Sequence, residues 1–322
     1  MFTIETDNED ILQLLPRLQD DDAGVRRIAL IELADLGDPD SLPFLTSALL
    51  HDTHDEVRFE AARLLEAWEE AEVVSALCTA LTDTSQQVRE AAAQSLSLLK
   101  EPHSGLIILP WAEHADAQVR QRAFRALREL RLPDSANAAL VALADTSAGV
   151  RREAVGVLGW LKHDGALAEL ARLASGDPDP DVRRAAVGAL AFASDEHSLP
   201  ALHAALADPQ WRVREEAANT LGKLALSQSG EPLRHALDDD YWQVRLQAAR
   251  ALGKLHYLPA LDALLLALQH SISNLRKEAA LALGELGSAE AIPALQVAAQ
   301  DGDPEVRKAV RIALQQLGTT TS

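Results

Sequence analysis

The side chains able to do chemistry are scattered along this chain rather than gathered. Ten histidines run from His51 to His270, yet no His-Glu-x-x-His and no Cys-His cluster occurs, and a metal site needs several ligands converging at matched distances. The closest pair, His51 and His54, sits beside Asp52 and Asp55 in what reads as a solvated turn. The single cysteine, Cys78, lies in the apolar run Ala76-Leu77-Cys78 and reads as a buried, inert thiol. Two acidic clusters, Asp238-Asp239-Asp240 and Asp177 with Asp179 and Asp181, are placed where they cap the next helix rather than hold calcium. Neither a Gly-x-x-x-x-Gly-Lys-Ser/Thr loop nor a strand-led Gly-x-Gly-x-x-Gly is present. No catalytic residue, metal or cofactor is expected from these patterns.

The elements that must position any site are helical. Of the 322 residues 48% are hydrophobic but only 4% aromatic, so the core is built from Ala, Leu and Val, of which Ala and Leu are strong helix formers. Lys and Arg number 30 against 49 Asp and Glu, a net charge of -19, and a chain this acidic repels phosphate backbones unless its cations are gathered on one face. Nucleic acid is therefore an unfavoured partner. The first residues lack a basic segment followed by an apolar one, and no stretch approaches the roughly 18 apolar residues of a membrane span. A cytoplasmic protein without membrane insertion is expected.

Self-similarity organises the whole chain. A Val-Arg dipeptide, once Leu-Arg, begins at Val25, Val57, Val88, Val119, Val150, Val182, Val213, Val244, Leu275 and Val306, at steps of 31 or 32 residues. Counting from this anchor as offset 0, apolar residues recur at offsets 4, 8 and 11, the stripe of a helix with one buried face. Offset 4 is Ala in nine repeats and Val310 in the last, and offset 8 is Leu in all ten. A second apolar run precedes most anchors, as in Leu42-Pro43-Phe44-Leu45, with Pro at the first helical turn where a missing amide hydrogen costs nothing. Each repeat is thus a helix pair. Five residues before the anchor stands an Asp, replaced by His114 and His270 in two repeats, and offset 1 is Arg throughout. An ever-present Arg near a turn carboxylate reads as a bidentate pair that clamps the turn and bridges neighbouring repeats.

These residues resemble the HEAT-like repeats of the phycobilisome-lyase type, whose signature is Asp-x4-Val-Arg-x2-Ala-x3-Leu-x2-Leu. The expected fold is all-α, an α-solenoid of about ten two-helix repeats over residues 9–318, preceded by a flexible stretch at 1–8 and followed by a tail at 319–322. The resemblance implies a curved superhelical rod whose concave face is lined by the second helix of each pair. Deoxyhypusine hydroxylases are similar in fold but bind iron through His-Glu dipeptides, which this sequence lacks. HEAT-like DNA glycosylases are similar too, but they present a basic concave surface.

Function must then lie in residues that break the consensus at the inward offsets, about 3, 6, 7 and 10. The fourth repeat offers Arg122, Arg125 and Glu129, which read as a solvated face. The fifth and sixth offer Gly156 with Trp160 and Gly188 with Phe192, a helical Gly one turn before an aromatic in both. Two readings are open: a recess that takes an apolar partner group, or rings folded over the inter-repeat seam with glycines relieving crowding. Trp211 and Trp242, the latter beside Tyr241, share offset -2 in consecutive repeats; they extend an apolar strip or staple their own helix starts. Arg250 and Lys254 add a basic edge. The expectation is a non-catalytic interaction scaffold that docks a protein on its concave face. The resemblance also implies an alternative, a bilin lyase or chromophore-handling subunit, with a tetrapyrrole at Trp160 and Phe192 and its propionate on Arg250.

Overall fold

The computed structural model describes residues 6–193 and 198–318. Residues 1–5 of the N-terminal stretch and the tail at 319–322 lie outside the described residues. Contacts divide the chain into two compact units, Met1–Leu161 and Lys162–Ser322, each a stack of helix pairs.

Every regular element among the described residues is helical. The anchors open, within the first turn or so, the second helices of the ten pairs: Ala23–Asp35, Asp55–Leu64, Gln86–Leu98, Ala117–Leu130 and Ala148–Leu161 in the first unit, and Pro180–Ala189, Trp211–Leu224, Trp242–Lys254, Ser273–Leu286 and Pro304–Gln316 in the second. Offsets 0, 4 and 8 are buried in every one except at Val25, which is half-buried in the first pair. The first helices are shorter in eight of the ten pairs and equal in length in the second and sixth, and several open in a 3-10 turn, as Pro39–Ser41 does before Leu42–His51 with Pro43 in its first turn.

The residue five before each anchor ties its turn. Its side chain accepts the backbone N–H two residues on in all ten repeats, from Asp20 with Asp22 to Asp301 with Asp303. His114 and His270 do the same through Nδ1 at 3.0 Å, which is how a histidine replaces aspartate there. The offset-1 arginines then join repeats. Arg26 grips Asp52 of the next repeat through Nε and Nη2 at 2.7 and 2.8 Å, while its Nη1 donates to the Asp20 carbonyl of its own turn. Arg58–Asp83 and Arg120–Asp145 repeat this in the first unit, and Arg183–Asp208, Arg214–Asp239 and Arg276–Asp301 in the second. The expected clamp and bridge are both present, and they account for the acidic clusters: Asp239 pairs with Arg214 and Asp179 caps Pro180–Ala189.

Small residues set the helix spacing in the second unit. A Cβ built on Gly222, Gly253 or Gly284, all at offset 9, would lie 3.1, 2.8 or 2.6 Å from the Cα of Ala251, Ala282 or Ala313 in the following second helix. Only glycine allows backbones so close.

Candidate functional site

Trp160 ends the second helix of the fifth repeat, and its indole is 51% exposed. Arg131, which closes the preceding second helix in a left-handed conformation, lays its guanidinium 4.4 Å from the centre of that ring. The cation over the indole's face favours this placement by about 0.5 to 1 kcal/mol and adds a charged rim. Gly156 does not open a recess beside it: its missing Cβ makes room for Arg128, whose Cδ would stand 2.8 Å from such a carbon, and Arg128 is tied to Glu129 and Glu153.

In the second unit, the space at Gly188 is faced by the Glu216 carboxylate. Phe192 is half-buried at the end of the 3-10 turn Leu190–Phe192 that finishes the sixth repeat's second helix. Trp211 and Trp242 each begin a helix, as their shared offset requires, but the ring that meets Trp211 is Tyr241, stacked at 5.4 Å with 10° between planes. Arg212 lies over Trp211 and Arg214 over Tyr241, so this edge is an aromatic pair capped by cations. Trp242 is half-buried. Arg250 is engaged by Glu278 through two hydrogen bonds of 2.7 and 2.9 Å, which occupies the fork a propionate would need. Lys254 is exposed.

Trp68 and Trp111 are half-buried, the latter stacked on His114. Cys78 is buried, and burial pushes its thiol up to about 12, too high for a thiolate nucleophile. Among the described residues no group of three or more His, Cys, Asp or Glu could hold a metal ion, and no helix is long and apolar enough to cross a membrane. Arg122 and Arg125, which the sequence places on a solvated face, have a more defined setting. They line a groove of about 470 Å³ between the second helices of the third and fourth repeats.

The HEAT-repeat family profile matches residues 10–97, 106–191, 170–253 and 261–322. The chain is a HEAT-repeat protein. The more specific HEAT-like repeat of phycobilisome lyases matches residues 244–270, which hold the eighth repeat's second helix and the first helix of the ninth. Solved structures carry the same fold. An engineered protein is 22% identical, with 98% of this chain and 100% of its own covered, at a TM-score of 0.55. YibA of Escherichia coli is 20% identical over 84% of this chain and 99% of its own, at 0.63. Yeast importin-beta, Kap95p, is 15% identical over 95% of this chain and 50% of its own, at 0.66, so this chain spans about half of that solenoid. At such identities the likeness is one of fold. No curated protein matches the chain significantly.

Proposed function

We propose that this HEAT-repeat protein is a non-catalytic scaffold that docks a protein partner, with Trp160 as an anchor on the first unit and the Trp211–Tyr241 stack as an anchor on the second. The observation that carries this reading is the exposed Trp160 ring, with the Arg131 guanidinium 4.4 Å over its face. Trp, Tyr and Arg dominate binding energies because they bring large contact area for little lost entropy. Phe192 and Trp242, also in the second unit, add half-buried apolar surface, and Lys254 supplies an exposed cation. Gly156 and Gly188 serve the reading indirectly, by seating Arg128 and Glu216. Among solenoids of this fold, Kap95 has been solved with a protein partner, Nup1.

Affinity capture from the native cell extract with the wild type and Trp160→Ala tests the proposal. Loss of a hot-spot residue costs about 2 kcal/mol, or roughly thirtyfold in affinity, so the recovered partner should fall steeply while thermal stability stays unchanged. Equal recovery by both proteins would remove Trp160 from the docking surface. A variant that melts well below the wild type would assign the ring to packing.

A further inference from the structure

The second helix of the fourth repeat is out of character with the chain around it. In a protein of net charge -19, the segment Ala117–Arg131 holds Arg120, Arg122, Arg125, Arg128 and Arg131 against one carboxylate, Glu129. Three of these arginines are engaged elsewhere: Arg120 pairs with Asp145, Arg128 with Glu129 and Glu153, and Arg131 covers Trp160. Arg122 and Arg125 make no ion pair among the described residues, and both face the groove toward Gln86–Leu98. The Nη1 of Arg122 is buried without an acceptor, and its Nη2 has only a long contact of 3.4 Å to Gln118. A buried guanidinium nitrogen lacking an acceptor is costly, so the site is incomplete as it stands.

The deficit reaches into the ladder. Arg89, one repeat earlier, should grip the carboxylate five residues before Val119, but His114 stands there. Its Nη1 keeps the Asp83 and Thr84 carbonyls, and its charge is felt by the Asp83 carboxylate, but no carboxylate forms an ion pair with it among the described residues. Burial first, and then the Arg89 charge, hold Arg122 below the usual guanidinium range. The remaining walls are amides, Gln86, Gln94, Gln118 and Gln121, with one carboxylate, Glu90, already accepting from Gln86 at 2.7 Å. Amides offer both donors and acceptors, the complement of a peptide backbone.

We infer that the groove between the third and fourth repeats binds an acidic peptide segment, whose Asp or Glu carboxylate completes Arg122 and Arg125 while the glutamines meet its main chain. This deepens the scaffold reading and rests on it. A single inorganic anion would leave most of a 470 Å³ groove empty. A nucleic acid strand would find no aromatic ring to stack on among the lining residues and would face the repulsion of the whole acidic chain.

The test is fluorescence anisotropy of a fluorescein-labelled hexaglutamate peptide against the full chain at low salt, with a hexalysine peptide and a thymidine hexanucleotide as comparisons. Hexaglutamate should bind despite the net negative charge, weaken with added salt, and lose at least about tenfold in affinity in Arg122→Gln and in Arg125→Gln, an ion pair with hydrogen bonds being of that order. Arg172→Gln, in an exposed pair of the second unit, should leave binding unchanged. Arg125 is exposed, so its variant folds whatever Arg122 contributes to stability. No binding by the wild type, binding indifferent to both arginines, or arginine-dependent binding of the hexanucleotide in place of the peptide would each overturn the inference. Failure of the scaffold reading shows separately, as a wild-type capture that recovers no partner and a Trp160→Ala variant indistinguishable from it.

Discussion

The residue five before each anchor carries two duties, and histidine can perform only one of them. As an acceptor for the turn amide it serves as well as aspartate, Nδ1 of His270 taking the Ile272 N–H at 3.0 Å. As an anionic fork for the preceding arginine it fails, and Arg245 shows the consequence: its Nε is buried without a partner, where the equivalent nitrogen of Arg214 reaches Asp239 at 2.6 Å. His270→Asp should therefore close the ladder and raise stability by about 1 kcal/mol, since a charge-assisted fork replaces an unmet donor. Its pH dependence gives the sign. Burial, then the charges of Arg245 and Arg276, hold His270 below its ordinary 6.5, so the folded state binds fewer protons than the unfolded one and loses stability as pH falls from 6.5 through the depressed value. Urea unfolding of the two proteins should show the variant ahead at pH 7 and further ahead as the pH is lowered toward about 5.5; a variant less stable than the wild type would mean that Arg245 cannot reach the new carboxylate.

At the scale of the element, seven of the ten second helices end in one way. Twelve residues after the anchor the backbone turns left-handed, with glycine in three repeats, Gly37, Gly287 and Gly318, and other residues in four, Arg131, Lys162, Ala225 and His256. A Cβ in that conformation costs about 1 kcal/mol or more, and glycine removes the cost. Ala225, at φ 52°, has no side-chain task to lose, so Ala225→Gly should raise the thermal midpoint, and Gly287→Ala, at φ 76°, should lower it by a similar amount. Matched shifts of the same sign would contradict the account. This ending was not legible in the sequence, because four unrelated residue types stand at the position. The stripe was, because burial of offsets 0, 4 and 8 repeats too regularly to be hidden, and so was the Arg–Asp bridge, whose partners recur at fixed spacing. The surface was less legible. Periodicity places a residue on a face without saying what its neighbours leave for it to do: the recess that Gly156 suggests is filled by Arg128, and Arg122, which reads as solvated, has its Nη1 enclosed. A signal was available in the five arginines of one helix within an acidic chain.

For the whole molecule, the balance between a large negative charge and a ladder of enclosed ion pairs sets the response to acid. Exposed carboxylates repel one another at neutral pH, so their first protonations relieve strain rather than cause unfolding. The ladder carboxylates behave differently. Burial would raise Asp52, Asp83, Asp145 and Asp239, but the arginine fork and the turn amide outweigh it and hold each below the ordinary 3.8. Asp301 is held down chiefly by its hydrogen bonds from Arg276. A depressed carboxylate contributes stability that is complete above the unfolded value and is lost as pH falls through the folded one. In a His270→Asp, His203→Gln background, which removes the share of the two histidines held below 6.5, unfolding free energy should thus stay level from neutrality to about pH 4 and then drop steeply. Because the paired side chains are largely enclosed, about 10 to 18% exposed at Arg26–Asp52, Arg58–Asp83 and Arg276–Asp301, added salt should shift the level region, where surface repulsion acts, far more than the acid drop. A decline that begins near pH 6 in that variant, or an acid drop that salt abolishes, would place control of stability in the exposed charges instead of the ladder.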